Sequence, residues 1–241
     1  MTTLVVVPAR LASKRLPGKP LRMVRGQPLI VVLVRQLLEM HYDVVVAADC
    51  EEIADVVQPH APVYLTSPKC RNGTERVAEL LFDRPEFGGV KYVVNVQGDQ
   101  LDVPEFAIEG ALKIVQHGVA DIGTAVGPLV PASVTNPNRV KALVALLTQR
   151  CIGFTRMIAL NMLTQEAGGF SVAEHVGVYA YNRVTLRYWV QLPPTPLELA
   201  LGLEQVRPLE AGMCVKSAWV DQLPKVIDTA EDLVDCSGQI K

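Results

Sequence analysis

The 241-residue sequence has no apolar stretch approaching the ~20 residues that a helix needs to span a bilayer. Its five cysteines stand singly at 50, 70, 151, 214 and 236, with no CxxC pair among them. That spacing excludes a zinc ribbon and supplies no disulfide framework. An excess of either charge is missing too: 23 Lys and Arg against 25 Asp and Glu leave a formal net charge of −2. There is no global pull towards nucleic acid or an acidic membrane surface, so any anion site must be local. The opening MTTLVVVPAR lacks the basic head and the apolar length of a secretory signal, and a cytoplasmic protein is the expectation. No internal repeat or low-complexity linker interrupts the chain. No GxGxxG is present, and Gly18-Lys19 is followed by Pro20 where a Walker loop has Ser or Thr.

What is present is a series of short β-branched runs: LVVVPA (4–9), DVVVAA (43–48), VYLT (63–66), KYVVNVQG (91–98), IGTAVGPL (122–129) and VKALVAL (140–146). Runs of this length bounded by polar breaks predict strands buried on both faces. Apolar residues at helical spacing over 28–41, 74–83 and 105–117 predict helices between them, the last starting after Pro104 and stopping at Gly118. Strand–helix alternation implies crossover connections and a mostly parallel sheet. Beyond about residue 145 the pattern changes. A weak helix and a glycine break precede an alternating strand, HVGVYAY (175–181). A helix over 197–212 ends at Gly212, VKSAWV (215–220) reads as a strand, and Asp228 or Thr229 opens a closing helix. The organisation expected is one α/β domain over 1–241 with a smaller lobe at roughly 130–215.

Two places carry chemistry. The first strand opens into ARLASKRLPGK, which places Arg10, Lys14, Arg15 and Lys19 within ten residues, beside Ser13 and Gly18. In open parallel sheets ligands lie at the carboxyl ends of strands, and clustered cations there suit the oxygens of a triphosphate. The alternative is a solvated surface loop. The second place is VNVQGD, where Asp99 directly follows a strand ending near Gly98. A carboxylate there faces the same crevice as the basic loop, and Mg²⁺ takes one or two carboxylates plus phosphates and waters. The alternative is a turn aspartate. Asp102 reads as a cap ahead of Pro104, or as an extra ligand.

With PARLASKRLPGKPL (8–21), NGTERVAE (72–79), VNVQGD (94–99), NPNRVK (136–141), FTR (154–156), HVGVYAY (175–181), LEQVRPLEAG (203–212) and IDTAEDL (227–233) in that order, the chain resembles the 3-deoxy-manno-octulosonate (Kdo) cytidylyltransferases, or CMP-Kdo synthetases. The resemblance implies a Rossmann-like, glycosyltransferase-A-type nucleotidyltransferase fold with a smaller sugar-binding and dimerisation lobe. It implies that CTP and Kdo are joined to give CMP-Kdo and pyrophosphate, for lipopolysaccharide biosynthesis, in a homodimer without nucleic-acid or membrane contact. Pro8, Ala9, Arg10, Ser13, Lys19, Asn72, Gly73, Thr74, Arg76, Gln97 and Gly98 would bind CTP. Arg15, Lys19, Asp99 and Asp228 would be catalytic, with Asp99 and Asp228 holding Mg²⁺. Arg15, Gln97, Arg156, His175, Tyr179, Glu204 and Gln205 would line the sugar-acid pocket. Read as residues alone, His175 and Tyr179 are equally core or interface positions, Glu204 a solvated helix face, and Asp228 a helix cap.

The chain departs from the family pattern in three places. Gly98-Asp99-Gln100-Leu101 stands where GDEP is usual, MIALN follows FTR, and Glu174 precedes His175 in a short 157–174 segment. These departures leave two alternatives open. One is CTP-dependent activation of another sugar acid, an 8-amino-Kdo or sialic-acid-like compound, with Glu174 near the pocket. The other is a non-catalytic nucleotide-binding relative.

Overall fold

The structure, a computed structural model, describes residues 3–13, 15–159, 162 and 169–237. Lys14, the end of the MIALN segment and the last residues of the closing stretch lie outside the described residues. The chain packs into two compact units, one of residues 1–103 with 224–241 and one of residues 104–223.

The first unit begins with β1 (Thr3–Ala9), whose residues from Leu4 to Ala9 are all buried. A 3-10 turn over Lys19–Leu21 and a small hairpin, β2 (Met23–Val24) and β3 (Gln27–Pro28), lead into α1 (Leu29–Glu39). Then follow β4 (Val44–Ala48), α2 (Glu51–Val57), β5 (Val63–Leu65), α3 (Gly73–Asp83), β6 (Tyr92–Val96) and β7 (Gln100–Leu101). The principal strands are parallel. β1 pairs β4 on one side (Val5 with Val44) and β6 on the other (Val5 with Val94), and β4 pairs β5. The spatial order is therefore β5-β4-β1-β6. The chain winds outward through β1, β4 and β5, then jumps back across β1 to lay down β6. That reversal makes the β1/β6 boundary a topological switch point, where the following loops diverge and leave a crevice at the carboxyl edge. The valine runs of β1, β4 and β6 are buried on both faces as the pattern predicts. β5 at the edge is half-buried, and Leu65 is exposed.

The second unit opens with α4 (Glu105–Gln116), β8 (Ile122–Gly127), the short α5 (Pro131–Val134), β9 (Lys141–Ala145), β10 (Cys151–Thr155) and β11 (Phe170–Asn182). It continues with α6 (Arg183–Gln191), α7 (Pro196–Leu201), α8 (Val206–Glu210) and β12 (Val215–Trp219). Here β10-β9-β11-β8 pair antiparallel, and only β12 joins β8 in parallel. Parallel pairing was expected of the 122–129 and 140–146 runs. The hairpin connection of β9 to β10 and the long β11 make it antiparallel instead. The single helix expected over 197–212 is two. Thr195 and Glu198 form a capping box at the start of α7, and Gly202, with φ 61°, takes the left-handed cap that ends it. α4 lies close on β8, since a Cβ at Gly123 would stand 2.0 Å from the Ala111 carbonyl oxygen.

The chain then returns to the first unit as β13 (Lys225–Val226) and α9 (Ala230–Ser237). β13 pairs antiparallel with β7, Val226 opposite Gln100.

Candidate active site

The switch point brings the ends of β1 and β6 together. A Cβ at Gly98 would stand 2.9 Å from the Pro8 carbonyl oxygen, so only glycine lets the two backbones approach this closely. At Gly73 a Cβ would meet the Gln97 amide at 2.8 Å and Pro8 Cγ at 3.1 Å. Pro8, Gly73, Gln97 and Gly98 are thus mutual neighbours. Gln97 Nε2 donates to Asn95 Oδ1 at 3.2 Å, which orients the amide. Asn72 caps α3 by accepting the Glu75 N–H at 2.9 Å, and Thr74 is buried in the first turn. Arg10 is exposed at the end of β1 and Ser13 is half-buried three residues on.

The β7–β13 pairing explains how residues far apart in sequence meet. Beyond the ladder the Ile227 N–H donates to the Asp99 carbonyl at 3.0 Å, which sets Asp228 beside Asp99. Lys19 Nζ donates to both carboxylates, to Asp99 Oδ2 at 2.9 Å and to Asp228 Oδ1 at 2.8 Å. Gly18, at φ 67°, turns the chain so that Lys19 enters from the basic loop. Arg15 Nη2 joins Asp228 Oδ1 at 2.8 Å while remaining half exposed. Burial pushes the Asp99 carboxyl up, but the Lys19 charge and hydrogen bonds from Lys19 and Gln100 hold it below the usual carboxylate range. Burial likewise pulls the Lys19 ammonium down, and the two carboxylates outweigh it and raise it above an ordinary lysine.

Asp102 stands outside this cluster. It takes a left-handed φ of 54° and forms a two-pronged pair with Arg25, at 2.8 and 2.6 Å. Arg76 is only 2% exposed. Its guanidinium donates to Thr66 Oγ1 at 2.6 Å and to the Ser67 carbonyl at 3.3 Å, and lies 3.9 Å from Asp49. Asp49 was not singled out in the sequence. It directly follows the β4 run, which is the same signal that identified Asp99 after β6, and its Oδ1 accepts the Leu11 N–H at 2.9 Å.

In the second unit His175 and Tyr179 share one face of β11, their rings 5.3 Å apart, with Phe154 5.2 Å from His175. The Thr124 hydroxyl donates its one proton to the Val178 carbonyl, so the 2.9 Å contact with His175 Nε2 makes the imidazole the donor. Desolvation lowers the His175 pKa to about 3, which fixes a neutral, Nε2-protonated ring. Arg156 donates to the carbonyls of Leu201 (2.8 Å), Pro137 (2.9 Å) and Gly202 (3.1 Å). Gln205 is buried and Glu204 half-buried at the start of α8. Glu174 is buried opposite Lys141, whose ammonium donates to the Asn136 and Arg156 carbonyls at 2.6 and 2.8 Å. The strand is regular at 174–175, so these two side chains project to opposite faces. The Glu174 carboxylate lies near the Lys141 ammonium, which also holds the Arg156 carbonyl.

The chain matches the cytidylyltransferase family model over residues 4–217. It is 39% identical over 241 residues to the 3-deoxy-manno-octulosonate cytidylyltransferase of Gemmatimonas aurantiaca, covering 97% of this chain and 92% of that one. It is also 39% identical over 234 residues to the enzyme of the same name from Rhodopseudomonas palustris, covering 96% and 94%. Among solved structures, a CMP:2-keto-3-deoxy-manno-octonic acid synthetase complexed with CTP superposes with a TM-score of 0.84 at 27% identity, covering 99% of this chain and 98% of that one. A protein described as a glucose-1-phosphate thymidylyltransferase, from Bacillus anthracis, superposes with a TM-score of 0.66 at 15% identity over 98% and 94% of the two chains, a likeness of fold alone.

Proposed function

The chain belongs to the 3-deoxy-manno-octulosonate cytidylyltransferase family, a CTP-dependent enzyme of Kdo activation, and from that premise we propose which of its residues do the work. The anomeric hydroxyl oxygen of Kdo bonds to the α-phosphorus of CTP. The bond from that phosphorus to the oxygen bridging towards the β-phosphate breaks, and pyrophosphate leaves with the displaced electron pair. The hydroxyl proton passes to solvent. Because phosphoryl transfer asks mainly for positioning and charge stabilisation, the cations of the loop after β1 carry most of the burden. Arg10, Ser13 and Lys19 hold the triphosphate, with Arg15 and Lys19 opposing the charge that grows on the leaving group. Pro8, Gly73, Gln97 and Gly98, packed at the switch point, form the floor for the nucleoside. His175, Tyr179, Arg156, Glu204 and Gln205 serve the sugar acid.

The observation that carries this reading is that one cation, Lys19 Nζ, is shared by Asp99 and Asp228 at 2.9 and 2.8 Å. Two carboxylates already converge on a common positive charge, and hard oxygens in that arrangement suit Mg²⁺. Among the described residues no cluster of three or more His, Cys, Asp or Glu is built to hold a metal, so the remaining ligands would be phosphates and waters. When bound, Mg²⁺ supplies charge neutralisation at the α-phosphate and a more acidic attacking hydroxyl. The lipopolysaccharide pathway as destination, the cytoplasm as location and a homodimer as working form belong to the same proposal. Among the described residues no helix is long and apolar enough to cross a membrane.

Asp99→Asn tests the assignment. Pyrophosphate release with CTP, Kdo and Mg²⁺ is expected to fall by about a thousandfold or more, while the thermal melt keeps its single cooperative transition. Turnover at the wild-type rate would remove Asp99 from the metal site.

A further inference from the structure

We infer that Asp49 is a positioning residue for nucleotide binding, aligning the anion-binding loop after β1 through a chain of polar contacts that runs Thr66–Arg76–Asp49–Leu11. The inference rests on the proposal that this loop binds the CTP triphosphate. Asp49 lies immediately beyond β4, which is hydrogen-bonded in parallel to β1, with Ala48 opposite Ala9. Its Oδ1 accepts the Leu11 N–H at 2.9 Å. That N–H belongs to the second residue after β1, where the sheet no longer offers a partner, so the carboxylate supplies the acceptor the ladder has lost. One such bond fixes the direction in which the next backbone N–H groups and the Arg10 side chain leave the strand.

A carboxylate at this place carries a penalty. It puts negative charge beside a loop whose ligand is itself anionic. Arg76 answers that penalty: its Nη2 stands 3.9 Å from Asp49 Oδ2, in side chains that are 3% and 10% exposed. The guanidinium is held in turn by Thr66 Oγ1 at 2.6 Å and the Ser67 carbonyl at 3.3 Å, and Thr66 donates its own proton to the Ala48 carbonyl at 2.9 Å. The chain closes on β4 at the residue before Asp49. Arg76 sits in the first turns of α3, whose Gly73 lies against Gln97 and Pro8. The same links therefore join the loop that would carry the phosphates to the turn that would face the nucleoside. Arg76 is placed to act on CTP through Asp49, from inside the fold.

The test is steady-state kinetics of Asp49→Ala, Asp49→Asn and Lys19→Ala with CTP and Kdo varied separately. Asparagine keeps an oxygen for the Leu11 N–H, and alanine removes it. D49A is expected to raise the KM for CTP by about tenfold or more with the KM for Kdo nearly unchanged, and D49N to stay within about threefold of wild type. That pattern, with rescue by the conservative variant, supports the inference. A wild-type KM for CTP in D49A, an equal rise in both KM values, or a D49N as impaired as D49A overturns it. Impaired CTP use in K19A beside a wild-type D49A rejects the chain and leaves the loop assignment standing. Unimpaired CTP use in K19A rejects the loop assignment and the inference with it. If D49A does not fold, Asp49→Ser, whose oxygen is too short to reach Leu11, takes its place with the same expectation.

Discussion

At the scale of the residue, His175 shows how a side chain fixed in one protonation state leaves a signature outside the active site. Half-buried, packed against Phe154 and Tyr179 and donating to Thr124, it has a pKa lowered to about 3 from an ordinary 6.5. Between those two values the unfolded chain binds a proton on this ring and the folded chain does not. Stability therefore falls as pH drops through that window, and the ring contributes no pH dependence above it. His175→Gln keeps a side-chain donor for Thr124 and removes the titration. Thermal melts at about pH 7 and about pH 5 are expected to show wild type losing more than the variant. A gap between the two proteins that is the same at both pH values would show that the ring takes no part in the acid sensitivity.

At the scale of the element, packing is set where glycine lets helix meet strand. α4 rests on β8 so closely that a Cβ at Gly123 would stand 2.0 Å from the Ala111 carbonyl oxygen. The obstruction is backbone and cannot rotate away. Gly123→Ala is expected to cost about 2–4 kcal/mol in denaturant unfolding. Gly89, with nothing within 4 Å of its would-be Cβ, is the control, and Gly89→Ala is expected to stay within about 0.5 kcal/mol. Equal costs at the two sites would refute the close approach. Elements of this kind were read from sequence with uneven success. The valine runs that became β1, β4 and β6 could be read because a strand covered on both faces needs no polar alternation. The basic loop and Asp99 could be read because both sit directly beyond such runs. α2 was missed: seven residues give barely two turns of periodicity, although Glu51 and Glu52 mark its first turn. The break of 197–212 into α7 and α8 turns on one left-handed glycine inside a continuous helical pattern. Direction of pairing in β8 and β9 depends on partners distant in sequence, which local pattern does not encode. The family resemblance of IDTAEDL names Asp228, and residue pattern alone reads it as a helix cap; the pairing of β13 with β7 is what delivers it to Asp99.

At the scale of the whole molecule, what remains is the surface the fold leaves apolar. The β9–β10 hairpin carries Leu146 and Ile152 exposed, with Leu147 98% exposed at its turn. Isolated apolar residues on a surface are ordinary, and three exposed on one hairpin are apolar area that a contact would cover. The rest of the chain is closely balanced in charge, at a formal −2, so long-range repulsion between copies is weak. A two-fold homodimer in which each copy presents this same hairpin satisfies the patch with one self-complementary contact. Light scattering after size exclusion is expected to give about twice the 26.3 kDa chain mass for wild type. Leu147→Glu with Ile152→Lys is expected to shift the protein to one chain mass while each monomer keeps its melting transition, since both side chains point to solvent. Activity loss tracking that shift would make the dimer the working form. A wild-type protein that stays monomeric at every concentration tested would overturn the two-fold contact through this hairpin.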